Sequence, residues 1–143
     1  MEVFQVAYYT NFTLTVEAAD ENGKAIGQIT DENLLDELDQ ELDKMNVFQG
    51  RQDDSTWFAL DQRWYYSEED MLLLSKRFPS MVFHLHGEGE NAEDLWNVHY
   101  WNGKSQQCPA VINYDPYDPA ELESAEKILE HYHYEQLDDS DEE

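Results

Sequence analysis

Between residues 11 and 19 apolar and polar positions alternate, with Phe12, Leu14, Val16 and Ala18 on one side, the period of a half-buried strand. The Asn22-Gly23 pair predicts a tight hairpin turn into a second strand over 24–29, and residues 2–10 extend the first strand or form one of their own. The period then changes. Leu34, Leu35, Leu38, Leu42 and Met45 recur at helical spacing, which predicts a helix over 31–45 capped by Thr30 or Asp31. Residues 46–56 read as loop, and strand character returns over 57–66.

Ser67 with Asp70 three residues later marks a second helix start; this helix carries Met71, Leu72, Leu73 and Leu74 and stops before Pro79. Alternation resumes with Met81, Phe83 and Leu85, breaks at the turn-like GEGENAED, and returns with Trp96, Val98 and Tyr100 on the matching face. Asn102-Gly103 predicts a second hairpin, leading into a strand over 104–113 that Pro109 confines to a sheet edge or a bulge. Asp118 followed by Pro119 predicts the start of a last helix, with Leu122, Ala125, Leu129 and Tyr132 along one face. The run LDDSDEE has little to bury and reads as a disordered tail over 137–143. The pattern predicts one α+β domain over 1–136, an antiparallel sheet with helices packed mainly on one face.

Composition separates this chain from an acidic polymer. It is 41% hydrophobic and holds 4 Trp, 9 Tyr and 6 Phe, enough to build a core. Yet its net charge is −25, far past the magnitude of about 2–8 that keeps a small domain soluble. The charge is uneven: residues 17–43 hold ten acids and one base, and residues 115–143 hold twelve acids and one base. Such surfaces repel nucleic acid and anionic membranes and attract basic partners, and the best-known basic surfaces in a cell are those that bind DNA or RNA. The single Cys108 excludes an intrachain disulfide and a Cys-based zinc motif. MEVFQVAYYT has neither the basic nor the apolar segment of a signal peptide, and no apolar run approaches the about 20 residues of a membrane helix, so a cytoplasmic location is expected.

The stretch 64–103 carries Leu74-Ser75, Phe78-Pro79, Phe83, Gly87-Glu88-Gly89-Glu90, Asp94, Trp96 and, with the next residue, Asn102-Gly103-Lys104. It resembles a group of phage, plasmid and bacterial proteins of the YubB/Api92 type, which have a ferredoxin-like domain. The resemblance implies that fold over residues about 57–113 and supplies no catalytic residues, since the matched positions read as turns and core. The acidic flanks lie outside it. In charge, size and aromatic content the chain is also similar to phage-encoded DNA-mimic inhibitors of defence enzymes, the anti-CRISPR proteins among them.

The leading chemical reading follows from the flanks. Helix residues four apart are separated by about 6 Å along the axis, a spacing comparable to phosphates along a strand. Asp31, Glu32, Asp36, Glu37, Asp39, Glu41 and Asp43, with Glu121, Glu123, Glu126 and Glu130, are therefore the candidate partner-binding residues, Asp36-Asp39-Asp43 and Glu123-Glu126-Glu130 forming the rows. They would occupy the basic groove of a nuclease or its complex without binding nucleic acid directly, and no cofactor or enzymatic activity is expected. The ordinary meaning of such rows is a solvated helix face. A second reading is an immunity or accessory protein that neutralises a basic toxin. A third is zinc held by His84, His86 and His99 on one sheet face; three His alone are a weak pattern, and the polar face of the sheet accounts for them better. Asp20-Glu21-Asn22-Gly23 begins like a calcium loop, but Ala25 and Asp31 stand where Gly and Glu are needed, so a hairpin explains it better. Trp64, Tyr65, Tyr66, Trp96, Tyr100 and Trp101 cannot all point inward on alternating strands, and those left outside would suit a protein interface.

Overall fold

The computed structural model describes residues 8–140, with 133–140 described by backbone alone. Residues 1–7 and 141–143 lie outside the described residues, and with them most of the first expected strand extension and the end of the expected tail. Contacts group the chain into two compact units, Met1–Ile112 and Asn113–Glu143.

The first unit is an α+β fold. Strands β1 (Thr10–Ala19) and β2 (Ala25–Gly27) form the hairpin expected at Asn22-Gly23. The Asp20 carboxylate accepts from the backbone N–H groups of Asn22 (2.8 Å) and Lys24 (2.9 Å), which closes this turn and lowers its pKa, Lys24 first. Helix α1 (Glu32–Met45) follows, and of the two cap candidates Asp31 is the one used: its carboxylate accepts from the N–H groups of Asn33 and Leu34. The helix ends at Asn46, in the left-handed region at φ 56°.

The segment read as loop over 46–56 contains strand β3 (Gly50–Asp53), which pairs with β4 (Thr56–Gln62). Gly-Arg-Gln-Asp has no apolar alternation because β3 is an edge strand, defined by its backbone pairing and not by a buried face. Helix α2 (Ser67–Arg77) starts as expected but is capped differently: Tyr66 holds the cap position with no side-chain bond, and the Asp70 carboxylate instead accepts from the Trp64 indole N–H at 2.7 Å. A meander of β5 (Met81–Gly89), β6 (Leu95–Trp101) and β7 (Lys104–Pro109) completes the unit. Strand β5 runs on through Gly87-Glu88-Gly89, so the turn expected at GEGENAED is shorter than that run. Asn102 and Gly103, at φ 47° and 77°, make the β6–β7 turn, whose positive φ values Asn and Gly tolerate best.

The antiparallel sheet has seven strands, ordered β3-β4-β1-β5-β6-β7, with β2 paired to β1. Phe12, Leu14 and Val16 of β1, Trp57 and Ala59 of β4, Met81, Phe83 and Leu85 of β5, and Val98 and Tyr100 of β6 point to one face. There they join Leu35, Leu38 and Leu42 of α1 and Met71 and Leu74 of α2 in a single buried cluster. Each large side chain buried in this way contributes about 1.5–3 kcal/mol. The opposite face carries Thr13, Thr15, Glu17, His84, His86, Asn97 and His99, in register across β1, β5 and β6. Among the described residues no helix is long and apolar enough to cross a membrane.

The second unit differs from expectation. Asp118 does act as a cap, accepting from the Ala120 N–H at 3.0 Å, but on a single 3-10 turn, Pro119–Glu121. The helix proper, α3, spans Ala125–Ser140, and Ser124 Oγ accepts from the Lys127 N–H. Leu122 and Glu123 therefore precede the helix, and its backbone runs over the first residues of the segment read as tail.

Candidate partner-binding face

The acids of α1 occupy the surface that its leucines leave free. Leu35, Leu38 and Leu42 face the core, so Glu32, Asp36, Glu37 and Asp43 are pushed to the exposed side. These four do not behave as one uniform row with the remaining acids. Asp39 turns toward the sheet, where its Oδ1 accepts the indole N–H of Trp57 at 2.7 Å. Trp57 is 2% exposed, so this acid satisfies a donor at the edge of the core. Arg51 of β3 stacks over the Trp57 ring at 5.1 Å from its centroid and lies 3.9 Å from Asp36 and 4.0 Å from Asp39. Glu41, half-buried, is paired with Lys44 and with Arg77 of α2. These two cations, Lys44 first, hold its carboxyl below the usual carboxylate range.

The expected row Asp36-Asp39-Asp43 is therefore interrupted at its centre. Glu32, Glu37 and Asp43 are exposed and carry no ion pair among the described residues. They form the free part of the face, and Asp31 is committed to the helix cap. The partner cations Arg51 and Arg77 escaped the sequence reading because they come from other elements, at positions where no periodicity signals an ion pair.

The second acidic block is divided among three local structures. Glu121 lies in the 3-10 turn, Glu123 in the connection, and Glu126 and Glu130 on α3, so the row Glu123-Glu126-Glu130 does not share one helix. All four are exposed. Tyr114, Tyr117, Leu122 and Leu129 are exposed beside them, Tyr114 at 90%.

The three histidines do share the open sheet face, but they do not converge on one point. His84 and His99 are cross-strand partners with their Nδ1 atoms 2.8 Å apart, and His84 Nε2 lies 2.7 Å from the Glu17 carboxylate. His86 is engaged elsewhere, between Asn97 (2.7 Å) and Glu88 (3.0 Å). Among the described residues no three His, Cys, Asp or Glu side chains are placed to hold a metal ion. The face holds a Glu17-His84-His99 chain of hydrogen bonds. Burial, and then the neighbouring His84, push the His99 imidazole below its ordinary pKa.

The aromatic residues divide, although those at 64–66 lie in the connection between β4 and α2, where strand alternation does not apply. Trp64 and Tyr100 are buried and Tyr65 and Tyr66 exposed. Trp96 and Trp101 are half-buried, and the Trp101 indole donates to the Pro79 carbonyl at 2.8 Å.

Comparison with known protein families, curated proteins and solved structures finds no match to this chain.

Proposed function

We propose that the protein is an acidic inhibitor, of the kind encoded by phages and mobile elements, that occupies the basic nucleic-acid-binding groove of a defence enzyme such as a CRISPR nuclease complex. The observation that carries this reading is the charge that the fold leaves unspent. The net charge is −25, and among the described residues only Glu41, Asp36 and Asp39 meet a Lys or Arg, while Glu32, Glu37 and Asp43 and the acids at 121–130 stand in solvent. Self-repulsion at that charge costs stability, and a cationic partner surface offsets it. Exposed carboxylates on a rigid helix meet the Lys and Arg residues of such a groove without reorganisation, and the summed field speeds encounter.

A ferredoxin-like assignment belongs with this proposal. The succession β1-α1-β3-β4-α2-β5 with neighbours β3-β4-β1-β5 supports it, with β2 added to β1 and the β6–β7 hairpin extending the far edge. The stretch that resembles the YubB/Api92 type, about 57–113, covers only the β4-α2-β5 part of that succession together with the β6–β7 hairpin.

A second reading, neutralisation of a basic toxin, draws on exposed Tyr114 and Tyr117, since aromatic anchors among acids suit a protein surface whether or not it binds DNA. One experiment separates the two. Partners captured from the host at low salt are challenged with duplex DNA. Competition that weakens as salt rises supports occupation of the groove; a cognate partner indifferent to DNA supports neutralisation. Absence of any cationic partner defeats both.

A further inference from the structure

A cavity of about 420 Å³ opens where the start of α2 meets the β6–β7 edge of the sheet. Trp96, Val98 and Tyr100 form much of its apolar wall, Tyr65 stands beside them, and Glu68 and Gln107 supply polar groups. The wall is positioned by a glycine. Gly87 is the cross-strand partner of Trp96, and a Cβ there would lie 2.1 Å from the Trp96 ring, so only glycine lets the indole lie down across β5. The ring is held on another side by an edge contact with Phe12, centroids 5.9 Å apart. Tyr100, 1% exposed, is fixed in the core. Glu68 is oriented too: its Oε1 accepts from Gln107 Nε2 at 3.2 Å and from Ser105 Oγ at 3.5 Å, and Oε2 has no hydrogen bond from the described residues. Its charge is felt inside the cavity, because the Tyr100 phenol is pushed well up by burial and then by Glu68.

We propose that this cavity is a socket for an arginine side chain presented by the basic partner, with the guanidinium against Trp96 and Tyr65 and paired with Glu68. The inference rests on the reading of the protein as a binder of basic surfaces and names the group that one pocket of it takes. Three features favour that occupant. Aromatic faces attract cations, Trp most strongly. A planar guanidinium stacks on an indole and meets a carboxylate at once, which the compact, strongly hydrated ammonium of lysine does poorly. The cavity also lies in a chain of net charge −25, so an anion is disfavoured at long range and by Glu68 at short range.

The test uses the full chain, labelled with ¹⁵N, with the indole N–H resonance of Trp96 assigned from Trp96→Phe. The probes are a blocked arginine-containing hexapeptide, the same peptide with citrulline, the same peptide with lysine, and blocked arginine amide alone. The arginine peptide shifts the Trp96 resonance and the citrulline peptide does not. Glu68→Gln, an isosteric surface change, weakens the arginine peptide by about tenfold, as expected when a partly desolvated cation loses its only carboxylate. Glu37→Lys with Asp43→Lys leaves the Trp96 response in place. A lysine peptide bound as tightly as the arginine peptide overturns the assignment, as does a response unchanged in Glu68→Gln. Blocked arginine amide binding as tightly as the peptide overturns the partner-presented source in favour of a small-molecule site. If the Trp96 response fails while cationic partners are still captured, the socket falls and the acidic-inhibitor reading stands; if capture fails and the response persists, the reverse holds.

Discussion

The indole N–H of Trp57 donates to the carboxylate of Asp39 at 2.7 Å, which ties α1 to β4 through one of the acids that would otherwise count as free surface charge. Arg51, stacked over that indole, lies 4.0 Å from the same carboxylate. An acid on an amphipathic helix can thus serve stability or recognition, and here the two roles fall to different residues. Replacing Asp39 with Ala leaves the buried donor of Trp57 without its acceptor and is expected to cost about 1–3 kcal/mol. Asp43→Ala, four residues on and exposed, should change stability by less than about 0.5 kcal/mol. Urea unfolding of the two variants checks this, and equal losses would remove the distinction.

Because Asp39 is structural, charge reversal for a binding test belongs at Glu37 and Asp43, and separately at Glu126 and Glu130. Each double Lys variant should melt close to the parent chain. The pair that meets the partner should lose at least about tenfold in affinity at low salt, the loss shrinking as ionic strength rises. Calorimetric titration at two salt concentrations against the captured partner identifies which block binds.

His99 gives the fold a pH dependence of defined sign. Its folded pKa is below the ordinary imidazole value, so the neutral ring is the form the fold prefers. Above about pH 7 both folded and unfolded states hold it neutral and it contributes no slope. As pH falls below about 6.5 the unfolded chain takes up the proton first, and stability drops until the folded ring also titrates. His84 faces the ring, its Nδ1 2.8 Å from that of His99, and is bonded in turn to Glu17 through its Nε2. Thermal melts between pH 7.5 and 5 should therefore show a fall in Tm that is smaller in His99→Gln. An NMR titration placing the His99 pKa at or above about 6.5 would contradict this.

Gly87→Ala should displace Trp96, since the added carbon meets the ring at 2.1 Å. The expected cost is about 1–3 kcal/mol, accompanied by a changed near-ultraviolet circular dichroism signal from the moved indole. The same variant should lose the Trp96 response to the arginine peptide.

How much could be read in advance depended on which force defines each feature. The strand of Phe12, Leu14 and Val16, the helix of Leu35, Leu38 and Leu42, and the hairpin at Asn102-Gly103 were legible, because burial imposes a period and a tight turn demands residues that accept positive φ. The candidate acids were legible as a composition but not as a surface. Strand β3 was missed because an edge strand needs only backbone pairing, and the late start of α3 because Asp118-Pro119 satisfies a 3-10 turn as well as a helix.

By itself, then, the chain order of apolar and polar residues determined the α+β class, the helix-facing core and the excess of negative charge, all of them sums or periods over neighbouring positions. Only the tertiary structure decided that Asp39 is occupied by Trp57, Glu41 by Lys44 and Arg77, and His84 by Glu17 and His99, and that Trp96 lies across Gly87. Most of these join residues distant along the chain and depend on distances of a few ångströms that strand register and helix placement set, which no local pattern encodes.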